Sequence, residues 1–183
     1  MTTFTIHSSN QAPELSQAML AAVQNKYSFV PNLFGALAKA PSTLEAYIAL
    51  GSALEKSSLS PAEQQAVLIA TSVENGCEYC VAAHSLVAQH ILKVDAAVVD
   101  ALRNKTQIAD DKLQALAVFT RAIVANRGTV NGKPLDDFLA AGFSKQQVLE
   151  VILGVTMKTL SNYANHLMNT PLDDAFKPEV WIK

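Results

Sequence analysis

Apolar residues recur at the spacing of an α-helix along most of the chain, and the alternation typical of β-strands is nearly absent. In the segment from Ala12 to Tyr27, the apolar residues fall on one helical face: Leu15, Ala18, Met19, Ala22 and Val23. The pattern therefore predicts an all-α protein. A length of 183 residues predicts one domain, residues 1–183. Half of the residues are hydrophobic, an apolar surplus that a homo-oligomer would bury.

Helix-start signals divide this pattern into segments. Ser60 is followed by Pro61 and Glu63, the composition of an N-cap with its capping box, and Ser42 has Glu45 three residues on. The predicted helices cover residues 12–27, 33–40, 42–54, 60–73, 77–92, 95–103, 110–124 and 144–168. Residues 127–134 are predicted to form a loop, and Trp181 is expected to dock the tail on the body or on a neighbour.

A weak internal repeat runs through the chain. Shifting the sequence by 84 residues aligns Ser60 with Ser144 and Tyr79 with Tyr163. The alignment is consistent with two related helical hairpins, of which only the first has cysteines.

Charge and hydropathy exclude several classes of function. The net charge is −2, and no basic stripe is present, so we predict no contact with nucleic acid. No apolar run approaches the roughly 18 residues that a membrane span needs, so no membrane partner is predicted. The segment from Met1 to His7 lacks a basic and then apolar signal-peptide pattern. These features predict a cytoplasmic protein.

Two cysteines, Cys77 and Cys80, are the only ones in the chain, and His84 follows four residues after the second. Because a reducing cytosol disfavours structural disulfides, a C-x-x-C there indicates redox catalysis or metal binding. Two small buried residues with no chemical role are a further, less favoured interpretation.

The position of the pair favours redox chemistry. A break at Asn75-Gly76 places Cys77 in the first turn of a helix, where free N–H groups and the helix dipole stabilise a thiolate. Residues three apart in such a turn come within disulfide range. Cys80 and His84 share a helical face, so the imidazole could take the thiol proton or stabilise the thiolate. Glu74 and Glu78 lie close enough in sequence to orient that histidine.

Other chemistries fit the cysteines less well. A metal site would use Cys77, Cys80, His84 and a carboxylate, but no second C-x-x-C or H-x-x-x-H accompanies them. A thioredoxin fold needs strands around its C-x-x-C, which this chain does not predict. A redox sensor with a reversible dithiol and no fast turnover remains open. No cofactor and no resident metal are predicted.

The motif and its surroundings resemble a known family. The segment 75–84, the Leu59-Ser60-Pro61 helix start, the segment 29–34 and the final helix with Asn162 and Asn165 resemble the AhpD / carboxymuconolactone decarboxylase superfamily, in particular its peroxidase-related branch. The resemblance implies an all-α bundle of packed helical hairpins that forms homo-oligomers. It also implies reduction of a hydroperoxide, with an external dithiol as the reductant.

Carried onto this chain, the resemblance makes Cys80 the peroxidatic cysteine, oxidised to a sulfenic acid. Cys77 would be the proton donor and then the resolving thiol, and His84 part of a proton relay. Such sequences have a glutamate about twelve residues before the first cysteine, where this chain has Gln65. An amide can orient His84 but cannot accept a net proton. The decarboxylase branch typically lacks the paired cysteines, which disfavours lactone decarboxylation.

A few polar residues remain in otherwise apolar segments. Asn162, Asn165 and His166 are predicted to satisfy polar groups in the core or to cap the helix end, rather than to line a pocket or hydrogen-bond across subunits. Lys158 is expected to extend to the surface or to pair with a carboxylate. His90, with no partner in sequence, is expected at the surface.

Overall fold

The computed structural model describes residues 4–183, and all regular structure in this range is helical. The all-α prediction is therefore confirmed. The helices are α1 Glu14–Tyr27, α2 Asn32–Leu37, α3 Pro41–Glu55, α4 Pro61–Asn75, α5 Glu78–Leu86, α6 Ala96–Asn104, α7 Asp111–Ala125, α8 Lys133–Ala140 and α9 Lys145–Met168. A π-helical turn follows α5 at Val87–Ile91, and a 3-10 helix spans Asp174–Glu179. The signal-peptide expectation rests partly on residues 1–3, which lie outside the described range.

Most of the predicted caps form. Ser60 and Ser144 each accept a hydrogen bond from the backbone N–H three residues on, within reciprocal capping boxes. Asp95 and Asp110 accept backbone N–H bonds at the starts of α6 and α7. Local sequence therefore determines where these four helices begin.

The structure differs from several of the predicted segments. Helix α3 begins at Pro41, because proline at the first helical position has a preset φ and leaves Ser42 inside the helix. Helix α8 begins at Lys133, although its first residues were predicted to be loop. The predicted helix 77–92 ends as an α-helix at Leu86 and continues as a π-helical turn, Val87–Ile91, a departure often found beside functional sites.

Two apolar clusters form the core. The first lies among α4, α6, α7, α8 and α9 and includes a stack of three aromatic rings, in which Phe138 lies 4.4 Å from Phe119 and 4.3 Å from Phe143 between centroids. The second lies among α1, α2, α3, α5 and the tail, and contains Cys77 and Cys80. The cysteines are therefore part of a packed interior.

The tail packs back onto the helices. Glu179 accepts hydrogen bonds from Arg103 at 2.6 Å and from His90 at 2.9 Å, and Trp181 packs against the first cluster. Docking of Trp181 on the body is thus confirmed. His90 is at the surface as predicted, but it has a partner that the sequence did not reveal.

Among residues 4–183, none of the helices is by itself both long and apolar enough to cross a membrane. Taken together, α8 and α9 meet that criterion on length and composition, with a bend of 117° between them.

Candidate active site

The cysteines lie at the junction of α4 and α5. Gly76 ends α4 with a positive φ of 69°, which favours glycine, and a Cβ there would also meet the side chain of Lys183. Cys77 follows as the N-cap of α5, and Cys80 lies in the first turn. Helix α5 begins one residue later than predicted, because the N–H of Cys77 donates back to the carbonyl of Ser72 in α4 at 2.9 Å. Both thiols are free and each residue is only 1% exposed.

Side chains of α9 surround the two sulfur atoms. The amide Nδ2 of Asn165 donates to Cys80 Sγ at 3.3 Å and to Cys77 Sγ at 3.7 Å. The hydroxyl oxygen of Ser161 lies 3.8 Å from Cys80 Sγ. Asn165 was predicted to satisfy polar groups of the core, and the groups that it contacts are the cysteine sulfurs. Asn162 instead contacts Asn75 and Ser72.

Lys158 is completely buried beside this pair. Its ammonium lies 3.0 Å from His84 Nε2, and its charge acts on Cys80. It forms no ion pair with any carboxylate of residues 4–183. The predicted surface position or carboxylate partner of Lys158 is therefore wrong, because α9 turns this side chain toward α5, where Cys80 supplies the negative charge.

The ring of His84 has a fixed orientation. Nδ1 lies 2.9 Å from Gln65 Oε1, and Nε2 faces the ammonium of Lys158. An ammonium only donates, so Nε2 is the acceptor and the ring proton resides on Nδ1, donated to Gln65. Gln65 thus orients His84, as the sequence indicated. No hydrogen bond joins His84 to Cys80 in the part of the chain that is described, so the expected direct contact is replaced by one through Lys158.

The charges of the site follow from these contacts. Burial opposes ionisation of Cys80, but the hydrogen bond from Cys77 and the charge of Lys158 outweigh it and hold the pKa of Cys80 well below its usual value. Burial also opposes the charge of Lys158, and the neighbouring Cys80 nevertheless raises the Lys158 pKa. Burial and the ammonium of Lys158 lower the pKa of His84, which stays neutral.

Cys77 differs from Cys80. Its hydrogen bond to Cys80 and its burial raise the pKa of Cys77, so it keeps its proton while Cys80 is a thiolate. Tyr47 also faces the pair; burial raises the pKa of its phenol, which stays neutral. The site holds one thiolate, one thiol, one neutral imidazole and one ammonium, so the buried charges balance.

The two nearby glutamates do not take part. Glu74 pairs with Lys105 at 2.8 Å, and Glu78 accepts from the backbone N–H of Lys183 at 3.2 Å. Neither orients His84, because both side chains turn toward other elements. The expected carboxylate contact with the histidine is therefore wrong.

The geometry does not favour a metal. Both ring nitrogens of His84 are engaged by Gln65 and Lys158. Within residues 4–183, no three His, Cys, Asp or Glu side chains are grouped to hold an ion. An ammonium next to the thiolate would also repel a cation.

Tyr79, between the cysteines, holds the tail over α5. Its hydroxyl donates to Asp173 at 2.5 Å and accepts from the N–H of Leu33 at 3.3 Å. Asp173 also accepts from the N–H of Asn32 at 3.1 Å, and Phe176 packs edge-on against the Tyr79 ring at 5.7 Å. Tyr79 is thus a buried packing residue that fixes the segment covering the cysteines.

A cavity of about 390 Å³ opens beside the site. It lies between α1, α3 and α4 and reaches Gln65, His84 and Tyr47. Its other lining residues are mostly apolar, among them Met19, Val23, Tyr27, Phe34, Ile48, Leu68 and Met157. Its size and apolar walls are those of a site for a small organic molecule.

Sequence reasoning missed the contribution of α9. Lys158, Ser161 and Asn165 are spaced three and four residues apart, so they share one helical face, and that face meets α5. The available signal in the sequence was a lysine that shares one face of an apolar helix with a serine and an asparagine. No local pattern connects it to cysteines more than 70 residues away.

The carboxymuconolactone decarboxylase family model matches residues 41–122. This segment includes Gln65 and the cysteine–histidine motif and ends before Lys158. No curated protein matches the sequence.

Solved structures share the fold over almost the whole chain. An uncharacterized peroxidase-related protein from Ralstonia eutropha JMP134, described as an alkylhydroperoxidase AhpD core, is 25% identical with a TM-score of 0.83, over 94% of this chain and 93% of that one. A peroxidase-related protein from Silicibacter sp. TM1040 is 18% identical with a TM-score of 0.80, over 96% and 97%. A variant of the debrominase Bmp8, in complex with 2,3,4-tribromopyrrole, is 18% identical with a TM-score of 0.82, over 98% and 96%. The similarity to the Silicibacter protein and to Bmp8 concerns the fold alone.

Proposed function

The chain belongs to the AhpD / carboxymuconolactone decarboxylase superfamily, and we propose that it is a thiol-dependent peroxidase that reduces hydroperoxides with Cys80 and Cys77. The observation that carries the proposal is the buried ammonium of Lys158 beside Cys80, which favours a thiolate at neutral pH. A thiolate is the nucleophile in peroxide reduction. The peroxidase-related relative from Ralstonia eutropha JMP134 supports the same assignment.

The two cysteines take successive roles. The Cys80 thiolate attacks the terminal peroxide oxygen, an S–O bond forms, and the O–O bond breaks to leave an alkoxide that needs one proton. Cys80 becomes a sulfenic acid and the peroxide is reduced to an alcohol. Cys77, one turn away, then attacks the sulfenate sulfur, and water leaves as the disulfide forms. An external dithiol reduces the disulfide by exchange.

His84 belongs to the hydrogen-bonded chain that holds the nucleophile. Gln65 fixes the tautomer, and the unprotonated Nε2 accepts one of the three ammonium protons of Lys158. The charge of the ammonium that His84 holds lowers the pKa of Cys80. His84 therefore orients the cation rather than deprotonating the thiol.

The cavity beside His84 is the proposed entrance for the organic part of the substrate. Its walls include the aromatic rings of Tyr27, Phe34 and Tyr47 and the thioethers of Met19 and Met157. These groups suit an apolar alkyl or aryl hydroperoxide better than hydrogen peroxide, because burial of the organic group adds binding free energy. We expect a lower KM for cumene hydroperoxide than for hydrogen peroxide.

Hydroperoxide consumption with dithiothreitol as the reductant tests the proposal. Wild-type protein is compared with Cys80→Ser and with two histidine variants, His84→Gln in the site and His90→Gln at the surface. We expect background rates for Cys80→Ser, a reduced rate for His84→Gln and an unchanged rate for His90→Gln. Equal turnover by wild type and Cys80→Ser would refute a peroxidase that uses this cysteine.

Reductive dehalogenation is a second candidate. The aromatic walls at Tyr27, Phe34 and Tyr47 suit a flat ring, and a relative of the same fold is named a debrominase. A dithiol supplies the two electrons: one aryl bromide and two thiols give the arene, hydrogen bromide and one disulfide. Bromide release from a bromopyrrole, with dithiothreitol present, favours this function if it exceeds the turnover of hydroperoxide.

A redox sensor without fast turnover is the third candidate, because Gln65 cannot exchange a proton with His84 as a carboxylate would. It predicts reversible formation of the Cys77–Cys80 disulfide and negligible steady-state consumption of hydroperoxide. Vigorous turnover with a dithiol would exclude it.

We also propose that the protein self-associates through α9. Four exposed apolar residues recur on this helix at three-, eleven- and four-residue steps, a spacing that keeps them on one side: Leu149, Ile152, Tyr163 and Leu167. A second copy of the same helix would cover them. Light scattering should show an oligomer for wild type and a smaller species for Leu167→Asp; a monomeric wild type would contradict self-association.

A further inference from the structure

Lys158 is a buried cation whose charge depends on the redox state of Cys80. The groups that raise its pKa are Cys80, Tyr47 and Cys77, and none of them is a carboxylate. Tyr47 and Cys77 are neutral, so the Cys80 thiolate is the negative charge that balances the ammonium. Once Cys80 is oxidised, that negative charge disappears, and a completely buried ammonium is then strongly disfavoured.

We propose that Lys158 is the general acid of the peroxide step, passing its proton to the oxygen that leaves when the Cys80 thiolate cleaves the O–O bond. This inference rests on the proposed peroxidase function. It assigns the proton to a residue of α9 that the cysteine–histidine motif does not contain.

The step balances. The thiolate of Cys80 and a hydroperoxide give a sulfenic acid and an alkoxide, and the ammonium of Lys158 converts the alkoxide to an alcohol and becomes a neutral amine. Cys77 then contributes its thiol proton to the hydroxide that leaves as water when the disulfide forms. When an external dithiol reduces the disulfide, its two protons restore the Cys77 thiol and the Lys158 ammonium, and Cys80 returns as a thiolate.

The geometry makes the other candidate donors unsuitable. The single ring proton of neutral His84 is on Nδ1 and is donated to Gln65, while Nε2 presents a lone pair to Lys158. Cys77 carries a proton, but its raised pKa makes it a weak acid, and that proton leaves with the hydroxide in the second step. Lys158 lies on the α9 face that presents Ser161 and Asn165 to Cys80. The Cys80 thiolate keeps the Lys158 pKa high, so the ammonium becomes acidic as that thiolate is consumed.

The pH dependence of the reduction potential tests the inference on the wild-type protein. The titratable groups that face Lys158 are Cys77, Cys80 and His84 of α5 and Tyr47 of α3. If Lys158 is neutral in the disulfide form, reduction takes up two protons, one on Cys77 and one on Lys158. The equilibrium constant for reduction then changes a hundredfold per pH unit between pH 6.5 and 8, or about 59 mV.

A permanently charged Lys158 gives a different result. Reduction would then take up one proton, and the equilibrium would change tenfold per pH unit, or about 30 mV. Thiolate absorbance at 240 nm is measured on the reduced protein over the same pH range, because a protonated Cys80 would also give the hundredfold dependence. A thiolate together with a hundredfold dependence supports the inference; a tenfold dependence, or no thiolate, overturns it.

Single-turnover kinetics with three variants separates the donor from the counterion. Cys77→Ser keeps Lys158 and a hydroxyl beside Cys80, so it should slow the formation of sulfenic acid on Cys80 much less than a change at Lys158 does. Lys158→Gln should slow this step by about 10²-fold or more, the range of general acid catalysis. Lys158→Arg keeps a cation but cannot lose its proton, so it should preserve the thiolate absorbance and still slow the step.

The outcomes distinguish this inference from the proposed function. Absence of hydroperoxide reduction by wild type would refute the proposed function, while the reduction-potential measurement would still report the charge of Lys158. Slow sulfenic acid formation in Cys77→Ser, with a normal rate in Lys158→Gln, would assign the proton to Cys77 and overturn the inference. Circular dichroism establishes that each variant is folded before its rate is compared.

Discussion

The ammonium nitrogen of Lys158 lies 3.0 Å from Nε2 of His84, so the imidazole presents its unprotonated nitrogen to a cation. A histidine four residues after a cysteine usually suggests a base that takes the thiol proton. Here Lys158 links the two residues, because its ammonium contacts His84 and its charge lowers the pKa of Cys80. In the proposed mechanism, the histidine therefore orients the cation that stabilises the Cys80 thiolate.

The stability of the reduced protein should depend on pH through His84. Burial and the charge of Lys158 hold the pKa of His84 well below its usual value of 6.5. Above pH 6.5 neither the folded nor the unfolded chain binds a proton at this site. Below pH 6.5 the unfolded chain binds a proton at His84 while the folded chain does not. The free energy of unfolding therefore falls by about 1.4 kcal/mol per pH unit until the pKa of His84 in the folded state is reached.

Urea denaturation at pH 5.5, 6.0 and 6.5 measures this dependence. Groups elsewhere add a slope that wild type and His84→Gln share, so the difference between the two proteins isolates His84. The variant should lose less stability on acidification. Parallel curves would mean that His84 binds a proton equally well in the folded and unfolded states, which would contradict the lowered pKa.

The amide of Asn165 should help to keep Cys80 ionised. Its Nδ2 donates to Cys80 at 3.3 Å, and a hydrogen bond to a charged group contributes about 1.5–3 kcal/mol. Asn165→Leu should therefore raise the pKa of Cys80 by about one to two units. The pH profile of iodoacetamide alkylation measures this shift, in a Cys77→Ser background that leaves one thiol.

Asn162 offers a matched control on the same helix. Its amide contacts Ser72 and Asn75 and neither sulfur, so Asn162→Leu should leave the pKa of Cys80 unchanged even if it lowers stability. The same shift in both variants would mean that general loosening of α9, rather than the Asn165 contact, sets the ionisation of the thiol.

Gln65→Glu should change the protonation of His84. A carboxylate facing Nδ1 would favour the imidazolium and raise the pKa of His84, by roughly one to three units for an adjacent opposite charge. The Cε1 proton resonance of His84, followed by NMR against pH, reports the titration. An unchanged pKa would show that the Gln65 contact does not control the ring.

The side chain of Asp173 should contribute more to the free energy of unfolding than the side chain of Asp174. It accepts from Tyr79 and from the N–H of Asn32, and Asp173→Ala would leave both donors inside the protein without an acceptor. We expect a loss of about 2–3 kcal/mol in urea denaturation. Asp174→Ala, at an exposed residue that pairs with Lys177, should have no measurable effect. Equal losses would contradict a specific role for Asp173.

Much of the fold was predictable because helix starts are encoded locally. Ser60 and Ser144 each act as an N-cap with the partner residue three positions on, and both capping boxes form. The π-helical turn at Val87–Ile91 was not predictable, because its residues continue the apolar pattern of α5 and the altered hydrogen bonding depends on tertiary packing. Helix α8 was missed because its first residues follow a turn-rich segment.

The site was predictable only where its residues are close in sequence. Cys77, Cys80 and His84 form a local motif, and the spacing to Gln65 indicated its contact with the histidine. Lys158 was misassigned, because a lysine in an apolar helix is normally expected to reach water. Its partner depends on which face of α9 meets α5, and the periodicity of one helix does not contain that information.

The most direct test of the account is a thiol count after a single oxidation. Fully reduced wild-type protein has two titratable thiols, Cys77 and Cys80, and is mixed with one equivalent of cumene hydroperoxide at pH 7. The account predicts one equivalent of alcohol, no remaining thiol, and a mass lower by two hydrogen atoms. Two thiols that persist while the hydroperoxide is unchanged would contradict the claim that Cys80 is a peroxidatic cysteine resolved by Cys77.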